Sequence, residues 1–313
     1  CLTVNTNTSI YMSTNNCFSF SRLGLVMKRD LMENWKKNLY ALLGLTFAFL
    51  ITYLAMMGSY EDASISALKA YVDSHVESFA IISFFALVFY ASLIMNNMQT
   101  KEARLSYLML PASPLEKFIA RALYVTMGIV LMIFVASLLA EAAHWLFMPF
   151  FKDLPEELKV CVWPEAWGKI FDAINPFQTQ NVYLNIVEGT DPSTWQQVEK
   201  SMFFIYLMGY AASLWQHSIF VLGGNYFGKH SFLKTIGAMI LIGILIGWAC
   251  TFIDWDGLEW IADFIRSHSE RLTEEMVAGF ISFIFFAFTA LNWWLSYKLF
   301  TRRQVVEPKF RLL

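Results

Sequence analysis

The sequence predicts an all-α polytopic membrane protein, and three observations lead to that prediction. First, 57% of the 313 residues are hydrophobic and only 15% are charged, whereas about 25% are charged in an average soluble domain. Second, the mean hydropathy is +0.47. Third, six apolar runs approach the roughly 20 residues that a helix needs to cross a bilayer. The alternating pattern that a membrane β-barrel requires is absent.

Composition also excludes several classes of protein. The net charge of −2 combined with high hydrophobicity excludes a disordered chain. The pI of 6.2 excludes a basic nucleic-acid-binding protein. Four cysteines in a chain of this length exclude a disulfide scaffold. An integral membrane protein is the class that is left.

The apolar runs and the positive charges together predict a topology. The six predicted spans are Leu39–Met57, Phe79–Met95, Ala122–Ala140, Met202–Leu222, Thr235–Ile253 and Met276–Phe300. Of the 23 Lys and Arg residues, 16 lie before the first span, between the second and third, between the fourth and fifth, or around the end of the sixth. Because these residues accumulate in the cytoplasmic segments that flank spans, both termini are predicted to lie in the cytoplasm. The predicted organisation is a disordered cytoplasmic N-terminus (1–20), a six-helix transmembrane domain (21–303) and a cytoplasmic tail (304–313).

The segment from Ser21 to Asn38 has the pattern of an amphipathic helix. Its apolar residues recur at the spacing of one helix face, and they are Leu23, Val26, Met27, Leu31 and Trp35. Lysine and arginine side chains in the same segment suit lipid headgroups. We predict an interfacial helix on the inner leaflet, and the alternative is a cytoplasmic extension of the first span.

The segment after the second span predicts two helices joined at a proline. Residues 99–109 can form a short helix that Pro111 ends. Ser113, Pro114 and Glu116 then fit the N-cap, the first helical position and the closing residue of a capping box. The third helix is therefore predicted to begin inside the cytoplasm, as part of a rigid elbow. The elbow is either an ordinary tight inner loop or a docking element for a cytoplasmic partner.

The two longer outer loops are predicted to lie at the membrane surface. The loop 149–200 is rich in aromatic residues, which favour the membrane interface. Within it, residues 164–174 are predicted to form a helix of a small extracytoplasmic cap. Residues 191–193 (Asp-Pro-Ser) are predicted to start a helix that leads into the fourth span. The loop 254–275 has the pattern of a short interfacial or re-entrant helix.

A search for catalytic motifs finds one near match. The stretch GGNYFGKH, residues 223–230, is similar to a phosphate-binding loop, but His230 stands where Ser or Thr would hold magnesium. It follows a membrane helix and not a strand, so we interpret it as a Gly-rich inner turn. The motifs HExxH and GxSxG are absent, and no two His with a carboxylate stand at metal-ligand spacing. We therefore predict that this chain is not an enzyme.

Few ionisable residues lie within the predicted spans, and each is a candidate for function. Glu141 and His144 lie at the outer end of the third span, where Glu141 is expected at the membrane interface. His217 lies deep in the fourth span, as a buried hydrogen-bonding residue or, as a weaker candidate, a substrate or proton site. In the fifth span, Gly243 and Gly247 are small residues four apart, which let helices approach closely. They predict either a dimer seam or internal packing.

The order of these parts, over roughly residues 20–303, resembles the permease subunits of type-2 ABC transporters, an exporter class. Such permeases often carry a Leu-Pro-x-Ser, Glu-or-Arg, Lys pattern ahead of the third span, and the residues here that match it are Leu110, Pro111, Ser113, Glu116 and Lys117. The stretch 221–235 also resembles the inner turn of uncharacterised bacterial members. The long aromatic loop after the third span departs from the compact members.

The resemblance implies a multi-pass subunit of the bacterial cytoplasmic (inner) membrane that exports an amphipathic, lipid-like or peptide substrate. It implies no cofactor on this chain, a separate cytoplasmic ABC ATPase that binds ATP and magnesium, and a second permease copy or a paralogue. The residues it implies for coupling to the ATPase are Lys101, Glu102, Arg104, Pro111, Ser113, Glu116 and Lys117. One alternative is a non-transporting membrane scaffold or assembly factor whose outer loop binds a partner. The other is an ion-coupled carrier that uses His217.

Overall fold

The computed structural model describes residues 18–57, 65–150, 161–177, 179–185, 195–252 and 274–302. Its helices are α1 (Phe20–Glu33), α2 (Trp35–Met57), α3 (Ile65–Ser92), α4 (Lys101–Leu108), α5 (Pro114–Phe147), α6 (Val162–Ile174), α7 (Phe203–Phe227), α8 (Ser231–Cys250) and α9 (Glu274–Thr301). Short 3-10 helices, Asn96–Met98 and Met148–Phe150, precede α4 and follow α5. The predicted disordered N-terminus, the loop 254–275 and the tail lie wholly or almost wholly outside the described residues.

Five helices are long and apolar enough to cross a membrane, as predicted for a multi-pass membrane protein, and the described residues form helices apart from one two-stranded hairpin. The five helices are Trp35–Ala55, Lys69–Met98, Pro114–Phe150, Ser231–Cys250 and Glu275–Thr301. The fourth predicted span, Met202–Leu222, is also helical, as part of α7, but it is not one of these five. Polar residues such as Gln216 and His217 interrupt its apolar run. Helix α7 nevertheless packs against α3, α8 and α9.

Several helix termini meet at one end of the bundle, termed the elbow end. The ring of Phe118, near the start of α5, lies 5.7 Å from the ring of Phe300, near the end of α9. The Ser231 hydroxyl, at the start of α8, donates to the Ser92 carbonyl, at the end of α3, over 2.7 Å. Buried apolar side chains from α1, α3, α4, α5, α7 and α9 form one core cluster here.

The opposite end, termed the α6 end, holds a second core cluster built on α2, α3, α5 and α6. The Tyr53 ring near the end of α2 contacts both His75, from α3, and His144, from α5, at 4.6 and 4.8 Å between ring centroids. Trp163 and Trp167 of α6 donate their indole N–H groups to the Ser137 hydroxyl of α5, at 3.1 and 3.3 Å. Helix α6 therefore packs into the bundle beside α5, where we had expected a cap lying on the membrane surface.

The prediction that a helix starts at residues 191–193 and leads into the fourth span is wrong. Those residues lie outside the described part of the chain, but residues 195–201 form a strand and α7 begins only at Phe203. Strands β1 (Thr179–Asn185) and β2 (Trp195–Ser201) pair antiparallel, with Val182 opposite Val198. This two-stranded hairpin leads into α7.

Helix α1 is shorter than predicted. It ends at Glu33, and Asn34 separates it from α2, so α1 is not a continuous extension of the first span. Leu23 and Val26 are buried against the bundle, whereas Leu31 and Trp35 are 52% and 56% exposed. The face buried in the protein includes an acidic residue, Asp30, at 0% exposure, and the contact of α1 with the inner leaflet stays a prediction.

Candidate functional site at the elbow end

The elbow has the predicted helix–turn–helix form, fixed by two local caps. The Thr100 hydroxyl accepts the Ala103 amide at the start of α4, which ends at Leu108, three residues before Pro111. The Ser113 hydroxyl accepts the Glu116 amide, and the Glu116 carboxylate accepts the Ser113 amide, which completes the capping box. Reciprocal bonds of this kind satisfy donors that a helix start leaves free. The predictions of the N-cap, the proline and the capping box are confirmed.

Glu116 also ties the elbow to α1. Its Oε1 accepts the Ser19 amide at 2.6 Å and the Arg22 guanidinium at 2.8 Å. The Glu116 side chain is 0% exposed, whereas that of Arg22 is 31% exposed. A charged pair with several hydrogen bonds on one carboxylate is geometrically specific. The position of α1 is therefore fixed relative to the start of α5.

A second buried ion pair joins α1, α3 and α5. Arg121 Nη1 lies 3.4 Å from Asp30 Oδ2, and the two side chains are 2% and 0% exposed. The same guanidinium donates to the carbonyls of Ile94 and Leu93, just beyond α3, at 2.8 and 3.2 Å. Asn97 donates to the other Asp30 oxygen at 3.2 Å. Burial raises the pKa of the Asp30 carboxyl, and the positive charge of Arg121 opposes that rise.

The helices of the elbow are also bonded to each other. Lys117 Nζ donates to the Leu108 carbonyl at the end of α4, at 2.8 Å. The Tyr107 hydroxyl donates back to the Lys117 carbonyl at 3.1 Å, and burial raises the pKa of Tyr107. Arg104 is 7% exposed and its Nε lies 3.5 Å from the Met98 carbonyl. These contacts make the elbow one rigid unit.

The predicted coupling residues thus fall into two groups. Arg104, Glu116 and Lys117 are buried in contacts within the chain, and Ser113 caps α5. The remaining three lie on an exposed surface that also carries large apolar side chains. We term this surface the elbow face, and it consists of Lys101, Glu102, Leu105, Met109, Pro111 and Leu115. Met109 is 75% exposed, Leu105 44% and Leu115 41%, so the elbow face presents apolar area on a rigid base.

The stretch interpreted as a Gly-rich inner turn is mostly helical. Gly223 and Gly224 lie inside α7. The turn runs from Gly228 to His230, and the first and last of these three residues have positive φ. A Cβ at Gly223 would overlap Thr235 of α8, and one at Gly224 would overlap the backbone of Ser92. These two glycines therefore let α7 touch α8 and the end of α3.

The other predicted positions lie away from the elbow. The His217 ring is stacked near Trp293 at 6.2 Å and interacts with the Val125 carbonyl, which fits a hydrogen-bonding residue between helices. A Cβ at Gly243 or Gly247 would have no neighbour within 4 Å. Internal packing in the described residues therefore does not explain those two glycines, and the dimer seam stays a prediction.

Sequence reasoning missed Asp30, Arg22, Asn97 and Arg121. One signal was available, since Asp30 stands four residues after Val26 on the apolar face of α1. Its partners lie 67 and 91 residues away in sequence, beyond the reach of local patterns. Within the described ranges, no group of three or more His, Cys, Asp or Glu residues is arranged to hold a metal ion.

Comparisons with protein-family models, with curated proteins and with solved structures found no match to this chain.

Proposed function

We propose that this chain is the membrane-spanning permease subunit of an ATP-driven exporter of the type-2 ABC class, and that a separate cytoplasmic ATPase docks on the elbow face. The observation that carries the proposal is the contrast within the elbow. Its exposed side carries large apolar side chains beside Lys101 and Glu102, and its buried side is joined to α1 by ion pairs and to the end of α3 by hydrogen bonds. An exposed apolar patch rimmed by polar residues is a common feature of protein interaction sites.

The buried ion pairs give a route for coupling. A partner that moves the elbow face moves Lys117 and Glu116, which are bonded to α4 and to α1. Arg121, one turn further along α5, is bonded to Asp30 and to the end of α3. ATP-driven movement at the elbow would thus reach three helices together. Arg104, Glu116 and Lys117 act in this proposal as positioning residues, while Lys101, Glu102 and Pro111 belong to the contact surface.

The topology of the proposal has six spans, with α7 as the sixth. Phe204, near the start of α7, lies against Gly279, near the start of α9. At the other end of α7, Gly224 touches the Ser92 backbone. Helix α7 therefore extends from one end of the bundle to the other, alongside helices that are long and apolar enough to span. The elbow end carries most of the flanking Lys and Arg residues, which supports a cytoplasmic elbow.

The experiment that tests the proposal is purification of the tagged protein in mild detergent, followed by mass spectrometry. An ABC ATPase is expected to copurify with the chain. Changing Leu105→Ser together with Met109→Ser should remove it, because truncating a central interface side chain costs about 2 kcal/mol or more. That cost corresponds to at least a roughly 30-fold weaker Kd.

A matched control changes two exposed aromatic residues at the α6 end, Phe150→Ser and Phe171→Ser, which are 79% and 61% exposed. This variant should retain the ATPase. Loss of the ATPase from both variants, or from neither, would remove the elbow face from the proposal. If no ATPase copurifies with the unmodified chain, while an established ABC complex stays intact in the same detergent, the permease proposal itself fails.

A second permease copy is proposed to pack along α8. The apolar side chains of this helix have few neighbours, with Leu241 63%, Ile244 62% and Leu245 60% exposed. Gly243 and Gly247 lie four residues apart on this unpartnered stretch, and such spacing lets two membrane helices approach closely. The proposed seam therefore runs along these two glycines.

The variant Gly247→Ile should weaken self-association in detergent or in vesicles, because the larger side chain would separate the two helix backbones. Gly237→Ile is the matched control. Gly237 is in the same helix, also has no neighbour within 4 Å of a Cβ, and lies on a different face. Quantitative crosslinking against protein density in vesicles measures the effect. Equal dimer fractions in the two variants would contradict the seam.

A further inference from the structure

The α6 end holds a cluster of ionisable side chains that the proposed function does not use. It consists of Tyr53 from α2, His75 from α3, and Glu141 and His144 from α5, which are 7%, 4%, 5% and 0% exposed. His144 Nδ1 lies 3.8 Å from Glu141 Oε1. Glu141, which we had expected at the membrane interface, is therefore buried beneath α6.

Several buried polar atoms of this cluster have no hydrogen-bond partner among the described residues. They are Glu141 Oε2, His75 Nε2 and both ring nitrogens of His144. The Glu141 Oε1 atom, by contrast, accepts the Trp145 indole N–H at 3.0 Å. His75 Nδ1 lies 2.8 Å from the Tyr71 carbonyl, so its Nε2 is free to act as an acceptor. Orphaned polar atoms are rare in folded proteins because leaving them unpaired costs free energy.

The charges around the cluster leave Glu141 without a cation. From α3, Asp73 is already paired with Lys169 of α6. From α2 and α3, Tyr53 and Tyr71 face the cluster as neutral hydroxyl groups at ordinary pH. At the start of α6, Cys161 lies beside Glu141, and burial together with that carboxylate raises the pKa of the thiol, which keeps it neutral. Without a bound proton, the Glu141 carboxylate therefore has no cationic side chain beside it in the described part of the cluster.

We propose that Glu141 and His144 form a proton-binding site. A proton from hydronium bonds to the lone pair of the neutral His144 imidazole and releases a water molecule. The resulting imidazolium lies beside the Glu141 carboxylate, so the pair becomes neutral overall. Proton binding thus removes the uncompensated charge, and breaking such a buried pair would be costly. The Glu141–His144 pair lies at the α6 end, away from the elbow face on which the proposed function rests.

Helix α6 lies directly beside this site. Ser137, which accepts the indole N–H groups of Trp163 and Trp167, lies one helical turn before Glu141 on α5. Cys161 at the start of α6 lies beside Glu141 itself. The charge of the Glu141–His144 pair therefore acts directly on the helix packed above it.

The test is nitrogen-15 NMR of the full chain with labelled histidines in detergent micelles. The chain has five histidines, and His144→Gln identifies the signal of His144. Near the middle of the range over which histidines usually titrate, about pH 5–8, the unmodified protein should show His144 as an imidazolium. In Glu141→Gln, the same signal should be that of a neutral ring, because the buried cation has lost its partner. Glu165→Gln, an exposed acid on α6, is the control and should leave the signal unchanged.

A signal of His144 that stays neutral over this whole range in the unmodified protein would overturn the proposal. So would a titration that Glu141→Gln does not move. If Glu141→Gln fails to fold, Trp145→Phe provides a milder change, since Trp145 is 43% exposed and donates to Glu141. Loss of that competing donor should strengthen the attraction for the proton, so that His144 titrates at a higher pH. An unchanged or lower titration would overturn the proposal.

Discussion

Replacing Arg121 with methionine is expected to destabilise the fold by roughly 3–5 kcal/mol, the usual cost of breaking a buried ion pair from one side. The change leaves Asp30, at 0% exposure, without its cation. It also removes the donors to the carbonyls of Ile94 and Leu93. Unfolding of the purified protein in detergent, followed against denaturant, measures the loss.

Two controls accompany this prediction. Arg302→Met changes an exposed arginine at the end of α9 and should be close to neutral. The double change Asp30→Leu with Arg121→Met should recover part of the loss, because apolar pairs of similar volume often replace buried ion pairs well. Equal stability of the Arg121→Met and Arg302→Met variants would show that the buried pair does not hold α1 to the bundle.

Replacing Gly224 with alanine is expected to destabilise the protein by about 3 kcal/mol, at the upper end of the usual cost of overpacking. The added Cβ would lie 2.9 Å from the carbonyl carbon of Ser92, which is backbone and has no alternative rotamer. Helix α7 would have to move away from the end of α3. The Ser231–Ser92 hydrogen bond at the same point would weaken with it.

Gly209→Ala is the matched control, since Gly209 is in the same helix and a Cβ there meets nothing within 4 Å. In that variant only helix propensity changes, which favours alanine by about 1 kcal/mol. The two variants are compared by the same unfolding measurement. A Gly224→Ala variant as stable as Gly209→Ala would contradict the close approach of α7 and α3.

The elbow was predictable because its signals are local. A serine three residues before a glutamate, with a proline between them, defines a helix start without reference to the rest of the chain. Ser113, Pro114 and Glu116 take those roles in the structure. The Arg22 bond to the same Glu116 was not predictable, because it joins residues 94 apart.

Other elements differ from their predictions because long-range contacts decide them. Helix α3 begins at Ile65, whereas its predicted span begins at Phe79, since Lys69, Asp73 and His75 interrupt the apolar run. In the fold Asp73 is paired with Lys169 and His75 is buried, so these residues do not end the helix. Similarly, periodicity located α1, but the burial of Asp30 beside Arg121 depends on a contact between residues 91 apart in sequence.

The Gly-rich stretch shows a limit of reading turns from composition. Gly223 and Gly224 were interpreted as part of a turn because adjacent glycines usually punctuate elements. They lie within α7 because Thr235 and Ser92 approach them too closely for any side chain. The turn itself runs from Gly228 to His230, and Gly228 and His230 have positive φ.

The most direct test concerns the proposed contact between a cytoplasmic ATPase and the elbow face. A photoreactive amino acid at Met109, the most exposed apolar residue of that face, tests it in intact membranes. Phe171 at the α6 end, at 61% exposure, is the control position. A covalent adduct with an ABC ATPase is expected from position 109 and none from position 171. The permease proposal would be contradicted if position 109 gave no ATPase adduct while position 171 gave adducts with other proteins. That result would favour a scaffold that acts through its α6 end.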